Sequence, residues 1–392
     1  MDLFAKCYAP SLADEYREKG IYPYFRALET RQGPEVVMEG KRRIMLGSNN
    51  YLGLTSCPEV VAAGVKALEA FGTGCSGSRF LNGTLTMHLE LEAELAKFLR
   101  KEAVMTFSTG FQSNLGIISA LVGRSDYMIL DRENHASIYD GTRLSFGKML
   151  RYRHSDMADL ERCLQQVPET AGALIITDGV FSMGGDIADL PNIVKLAKQY
   201  GARVMVDDAH GLGTIGEGGR GTASYFGLEK EVDVYMGTFS KSLASLGGYM
   251  AAEERVVDYA RHCSRPFIFS ASIPPASCAT ALAALRHLEA HPELPRKLAD
   301  LSEPFRTALK SRGLAIRESR TPIVPIFTYQ AERTMLVAKE LYESGVYVNT
   351  VLPPAAPADG CMLRTSLMAT HTEALLDEAA DVLKTVLEAH HV

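Results

Sequence analysis

Tryptophan is absent from the chain, so its near-ultraviolet absorbance rests on 16 tyrosines and any bound chromophore stands clear of it. Cysteine is sparse and unpatterned. The seven, Cys7, Cys57, Cys75, Cys163, Cys263, Cys278 and Cys361, are odd in number and show neither a disulfide framework nor a C-x-x-C metal spacing. Free thiols in a reducing compartment and no metal site are expected. Long runs of one charge are also missing: 41 basic against 47 acidic residues leave a net of −6, which argues against nucleic-acid binding. No apolar stretch approaches membrane-spanning length, and Met1-Asp-Leu-Phe-Ala-Lys-Cys-Tyr-Ala-Pro10 has no basic segment followed by an apolar one. A cytoplasmic protein is expected, with at most transient peripheral contact at the inner membrane face.

What is present is a 392-residue chain with 46% hydrophobic content, enough for a large core and more than one domain. Residues 11–19 read as a short charged helix stopped by Gly20, and 36–38 with 41–46 as a hairpin turning at Glu39-Gly40. Helices are expected over 58–70 and 87–99, then strands over 103–107, 127–130, 174–177 and 232–236 alternate with helices. Such alternation implies parallel strands with helical crossovers. After Ser270 the pattern changes to helices over 275–290, 293–310 and 372–388, with strands over 323–327, 345–348 and 362–365. The expected organisation is an N-terminal arm (1–47), a large α/β domain (48–270) with a mostly parallel sheet, and a smaller C-terminal α+β domain (271–392).

Two stretches concentrate the chemistry. Val204-Met-Val-Asp-Asp-Ala-His-Gly-Leu-Gly213 reads as a buried strand running into Asp207, Asp208 and His210, and Val232-Asp-Val-Tyr-Met236 as a second strand followed by Gly237-Thr-Phe-Ser-Lys241. In an open parallel sheet ligands bind beyond the carboxyl ends of the strands, so Asp207, His210 and Lys241 are expected around one pocket.

Gly211-Leu-Gly-Thr-Ile-Gly216 matches the dinucleotide fingerprint, with Glu231 further along, which makes a nicotinamide-dependent oxidoreductase the rival reading. That fingerprint needs glycines that end a strand and open a helix. Here Asp207 to His210 intervene and Glu217-Gly-Gly-Arg-Gly221 follows, a poor helix start.

Pyridoxal phosphate explains more residues. It needs an amine for its aldehyde, an anion at its ring nitrogen and donors at its phosphate. Lys241 could supply the amine, Asp207 the anion, and Thr238 and Ser240 hydroxyls; His210 could reach the ring hydroxyl and His135 the ring face. Gly110 and Phe111, at a strand-to-helix turn, offer backbone N–H groups to the phosphate. The glycine-rich stretch 72–84 suits backbone lying close to a ligand or another chain.

At these residues the chain resembles the α-oxoamine synthases, fold type I pyridoxal phosphate enzymes related to aspartate aminotransferase that join an amino acid to an acyl-CoA and release carbon dioxide. The resemblance runs through Asn49-Asn-Tyr-Leu-Gly-Leu54, Ser108-Thr-Gly-Phe111, Asn134-His-Ala-Ser137, Thr177-Asp-Gly-Val-Phe-Ser-Met183, Val206-Asp-Asp-Ala-His210 and Gly237-Thr-Phe-Ser-Lys241. It implies that Lys241 forms the Schiff base, Asp207 pairs the pyridinium, His210 meets the ring hydroxyl and His135 stacks and touches the substrate carboxylate. Ser182, Thr238 and Ser240 are implied as cofactor contacts, Asn50 and Arg364 as substrate-carboxylate contacts. It further implies a homodimer with Ser270 and Ser272 reaching the partner's phosphate.

Around the glycine loop, Lys241 and Leu352-Pro-Pro-Ala-Ala-Pro357 the resemblance is to bacterial members that condense L-serine with palmitoyl-CoA to 3-ketodihydrosphingosine, which opens sphingolipid synthesis. Members using glycine with acetyl-CoA or alanine with pimeloyl-CoA, and a non-catalytic subunit on the same fold, are the alternatives. One departure is Ala356, where the family commonly has threonine.

Overall fold

A computed structural model describes residues 2–392. The first hairpin pairs β1 (Glu35–Met38) with β2 (Lys41–Met45) through the Glu39-Gly40 turn, where both residues adopt positive φ. The main sheet has seven strands, β3 (Ala103–Phe107), β4 (Tyr127–Asp131), β5 (Lys148–Tyr152), β6 (Ala173–Asp178), β7 (Arg203–Asp207), β8 (Val234–Thr238) and β9 (Gly248–Ala252), in the order β3-β9-β8-β7-β6-β4-β5. Only β9 runs against the others. The carboxyl ends of β3, β4, β6, β7 and β8 therefore share one edge.

The apolar runs are buried on both faces, as a parallel sheet covered by helices requires. Side chains alternate between two cores. Val204 and Val206 pack with Ile129 and Ile175 on one face, while Met205 packs with Met128, Leu130 and Ile176 on the other.

Beyond the main sheet come β10 (Ile323–Tyr329), β11 (Val346–Tyr347), β12 (Asn349–Val351) and β13 (Cys361–Ser366), with β13 central to an antiparallel trio. The single strand expected over 345–348 is two. β11 lies parallel to β2 and β12 antiparallel to β13, so the chain changes sheets at Val348. Ile44 in β2 and Leu46 just after it share a core with Val346, Leu363 and Leu383, which ties the N-terminal segment to the C-terminal one.

The glycines that mimic a dinucleotide fingerprint open no α-helix. They close a loop over Asp208, whose carboxylate accepts from the Thr222 N–H at 2.7 Å and from its hydroxyl at 2.6 Å. A Cβ on Gly211 would stand 1.8 Å from Asp208 Oδ1, so glycine is required by packing.

Candidate active site

The shared strand edge is built around Asp207, the last residue of β7. One carboxylate oxygen accepts from the Ala209 N–H at 3.0 Å and the other from Asn114 Nδ2 at 2.7 Å. Both bonds fix an anion in a site where it is almost fully buried. Asp178, at the end of β6, lies nearby and accepts from the His135 N–H at 3.3 Å. Burial, and then the charge of Asp207, push its carboxyl well above the ordinary range. Asp178 is thereby biased toward its protonated form beside Asp207.

His135 follows β4 and opens onto the cavity. Its Nδ1 lies 2.7 Å from the Ser137 hydroxyl and accepts from the Ser137 N–H at 3.3 Å. Ser137 Oγ accepts from Asn114 Nδ2 at 2.8 Å, so the hydroxyl proton points to His135 and the imidazole proton sits on Nε2. The surrounding protein lowers the His135 pKa by desolvation. Phe111 meets the ring edge-on, with centroids 6.4 Å apart.

A second chain of contacts joins His210 to Arg364. His210 Nδ1 lies 2.7 Å from the Tyr51 hydroxyl, which accepts from Arg364 Nη2 at 3.2 Å. Burial, and then the Lys241 charge, hold His210 well below its usual value, so it accepts the tyrosine proton as a neutral ring. Arg364, on β13, also donates to Ser182 O at 2.5 Å, Ser366 Oγ at 2.8 Å and Asn49 Oδ1 at 3.0 Å. All of these acceptors are neutral. Among the described residues this buried guanidinium has no carboxylate partner.

Lys241 stands half-buried three residues beyond β8. Burial lowers its amine to about 8, and the Arg364 charge works in the same direction. It lines two neighbouring compartments, of about 270 Å³ and about 370 Å³, that also share His135 and His210.

The first compartment fits pyridoxal phosphate. The helix Gly110–Leu121 points its N-terminus into it, with Thr109 Oγ1 accepting from the Gln112 N–H at 3.1 Å. The first-turn N–H groups of Gly110 and Phe111 are left for an anion. Thr238 and Ser240 add hydroxyls 2.9 Å apart, and a Cβ on Gly110 would stand 2.7 Å from Thr238. An anion cup, an anchored carboxylate and a lysine of lowered pKa thus occupy one cavity.

The structure brings together Lys241, Asp207, His210, His135, Gly110, Phe111, Thr238 and Ser240, with Ser182 and Arg364 in the adjoining compartment. Asn50 lines neither compartment. Its Nδ2 donates to Thr55 Oγ1 at 2.8 Å, and its neighbour Asn49 turns to Arg364 instead. Ser270 and Ser272 do not line the cavity of their own chain; Ser272 braces the glycine loop through Gly77 O, 3.0 Å from its N–H. Asn114, Tyr51, Asp178 and Asn49 were not anticipated. Asp178 had a usable signal, an acid ending an apolar strand as Asp207 does, and Asn114 a weaker one as a polar residue in an apolar helix.

The sequence profile of the aminotransferase class I and II family matches residues 41–383. The serine palmitoyltransferase of Sphingobacterium spiritivorum is 50% identical over 378 residues, 96% of this chain and 95% of that protein. The 8-amino-7-oxononanoate synthase of Geobacter sulfurreducens is 46% identical over 368 residues, 93% of this chain and 94% of that one. Among solved structures, the serine palmitoyltransferase of S. paucimobilis with a bound PLP–myriocin aldimine superposes with a TM-score of 0.97 at 37% identity, covering 100% of both chains. The chain belongs to the aminotransferase class I and II family, with the fold of the fold type I pyridoxal phosphate transferases, and within it to the α-oxoamine synthases.

Proposed function

We propose that the protein is an acyltransferase that condenses L-serine with a long-chain acyl-CoA such as palmitoyl-CoA, using pyridoxal 5'-phosphate, and releases carbon dioxide, CoA and 3-ketodihydrosphingosine. The observation that carries the reading is Arg364, a buried cation bonded only to neutral groups and facing a compartment shared with Lys241. A buried guanidinium of this kind is complementary to a carboxylate supplied by a ligand. An amino acid held there by its carboxylate is presented to the lysine.

Bound pyridoxal phosphate supplies an electron sink for negative charge at the α-carbon of the amino acid. Asp207, fixed by Asn114 and the Ala209 N–H, would hold a proton on the pyridine nitrogen, beside an Asp178 carboxyl that burial biases toward its protonated form. Gly110, Phe111, Thr238 and Ser240 hold the phosphate. Lys241, neutral in a substantial fraction near pH 8, removes the proton from the α-carbon as general base. Arg364 and Asn49 orient the carboxylate, and His135 covers the same space from the β4 side.

Serine palmitoyltransferase relatives at 46–50% identity support serine and a long acyl chain. Relatives named 8-amino-7-oxononanoate synthase reach 46%, which keeps alanine with pimeloyl-CoA as the second reading. Phe181, Met183, Pro354 and Ala355, beside Arg132 and Glu133, line a neighbouring cavity of about 440 Å³ that offers room for an acyl chain. Each buried methylene contributes about 0.8 kcal/mol, so burying even part of a palmitoyl chain separates it from short acyl groups by orders of magnitude. Release of CoA thiol is expected to be fastest with serine and acyl chains near palmitoyl. Faster turnover of alanine with pimeloyl-CoA, or of glycine with acetyl-CoA, would overturn the substrate while leaving the family intact.

A homodimer belongs to the same proposal. Ser270 and Ser272 lie outside their own cavity, the helix Pro58–Phe71 exposes Val61, Val65 and Leu68 on one stripe, and Phe80, Leu81 and Phe269 are exposed outside the helices. Large apolar side chains exposed in such number support an interface. Sedimentation is expected to give a dimer, and an active monomer at micromolar concentration would refute it.

A further inference from the structure

We propose that Cys57, Glu59 and His287 form a zinc site, separate from the cavity that holds Lys241. No C-x-x-C or comparable local spacing announces it, because its ligands are brought together from positions 230 residues apart. Cys57 is the residue before the helix Pro58–Phe71, Glu59 lies in its first turn, and His287 lies in the last turn of the helix Pro275–Ala290. These helices are in close contact: a Cβ on Gly64 would stand 2.9 Å from Thr280 Cγ2. The end of one is thereby set beside the start of the other.

The donor atoms form a triangle of suitable size. Cys57 Sγ lies 3.9 Å from His287 Nδ1 and 4.0 Å from Glu59 Oε2, and His287 Nδ1 lies 2.8 Å from Glu59 Oε2. Tetrahedral zinc with a thiolate, an imidazole and a carboxylate at 2.0–2.3 Å sets its donors about 3.3–3.7 Å apart. The two sulfur edges need to close by only a few tenths of an ångström, and the imidazole–carboxylate edge to open by less than about 1 Å. Glu59 can do this, since its side chain is 75% exposed. A histidine–glutamate ion pair alone would account for the 2.8 Å contact. It gives no reason for a thiol standing at nearly equal distance from both partners.

A fourth ligand is at hand. His291, four residues after His287, lies beside it with ring centroids 4.4 Å apart and a tilt of 36°. Its Nδ1 is engaged by Glu293 at 3.0 Å, so the fourth position falls to water or to His291 after a side-chain rotation. A mixed sulfur, nitrogen and oxygen set selects zinc over magnesium or calcium. Bound there, zinc clamps two helices that adjoin the site: one follows the Asn49–Tyr51 segment, and the other begins just after Ser272.

The test uses the intact holoprotein, treated with a chelator that is then removed, and titrated with zinc chloride by calorimetry and thermal unfolding. The expected result is one zinc per chain, a raised Tm and no response to magnesium. Cys57→Ser and His287→Gln are each expected to weaken zinc about a hundredfold and erase the Tm rise, and Glu59→Gln to weaken it about tenfold. Turnover measured without zinc is expected to stay at the wild-type level in all three variants. Failure of the wild type to bind zinc would overturn the site, as would unchanged zinc affinity in Cys57→Ser and His287→Gln. Glu59→Gln, at an exposed position, supplies the same comparison should either of the others fail to fold.

Discussion

Lys241→Ala is expected to remain folded and to lose turnover by about a thousandfold or more, the scale on which a general base that is also the covalent anchor contributes. Lys241 lies in the turn after β8, and its amine is held near 8 by burial with no hydrogen bond contributing. Removing it deletes a desolvated charge and no contact of the fold, so circular dichroism and Tm should stay close to wild type. Normal synthase activity in the variant would sink the assignment. The pH dependence gives a second measure. After removal of cofactor, only the unprotonated amine captures added pyridoxal phosphate, so the capture rate should climb with pH and level off above about 8. A surface lysine would keep gaining reactivity up to about pH 10.4.

That lysine, with Asp207 and His210, was legible because each follows a run of apolar β-formers, and parallel topology gathers strand ends at one edge. The strands that carry no such run were not legible. β5, Lys-Met-Leu-Arg-Tyr, is an edge strand with charged, exposed positions, and β9, Gly-Tyr-Met-Ala-Ala, is built from small residues. The reason for β9 is spatial: a Cβ on Gly248 would stand 2.7 Å from Gly110 Cα, so the strand is small where the phosphate-binding helix crosses it. Asn49 and Asn50 show a different limit. In irregular backbone two adjacent side chains point to different sides, and the bond from Asn50 to Thr55 leaves Asn49 for Arg364. Tyr51 lies in a motif that carries the family resemblance but shows no chemical signal of its own, since a tyrosine in an apolar segment reads as core until its hydroxyl is found between His210 and Arg364.

Arg364 separates amino-acid binding from the rest of the reaction, and its substitution should show that separation. Arg364→Lys keeps a charge but loses the planar fork, so the KM for the amino acid is expected to rise about tenfold. Arg364→Ala loses both. With about 3–4 kcal/mol of charge-assisted hydrogen bonding gone and tenfold for every 1.4 kcal/mol, kcat/KM for the amino acid should fall about 10²–10³-fold. The KM for acyl-CoA should stay near wild type in both variants. Some loss of stability is expected in Arg364→Ala, because Ser182 O, Asn49 Oδ1 and Ser366 Oγ lose a donor. A purely structural role would produce that loss too, so a second readout is needed, and Lys241 supplies it. After burial, the Arg364 charge is what holds the lysine down, so removing the cation favours the protonated amine and moves its midpoint above about 8. Arg364→Lys, which retains the cation, should leave the midpoint nearly in place. If Arg364→Ala left both the amino-acid KM and the Lys241 midpoint unchanged, the guanidinium would be only a brace between β13 and the Ser182 turn.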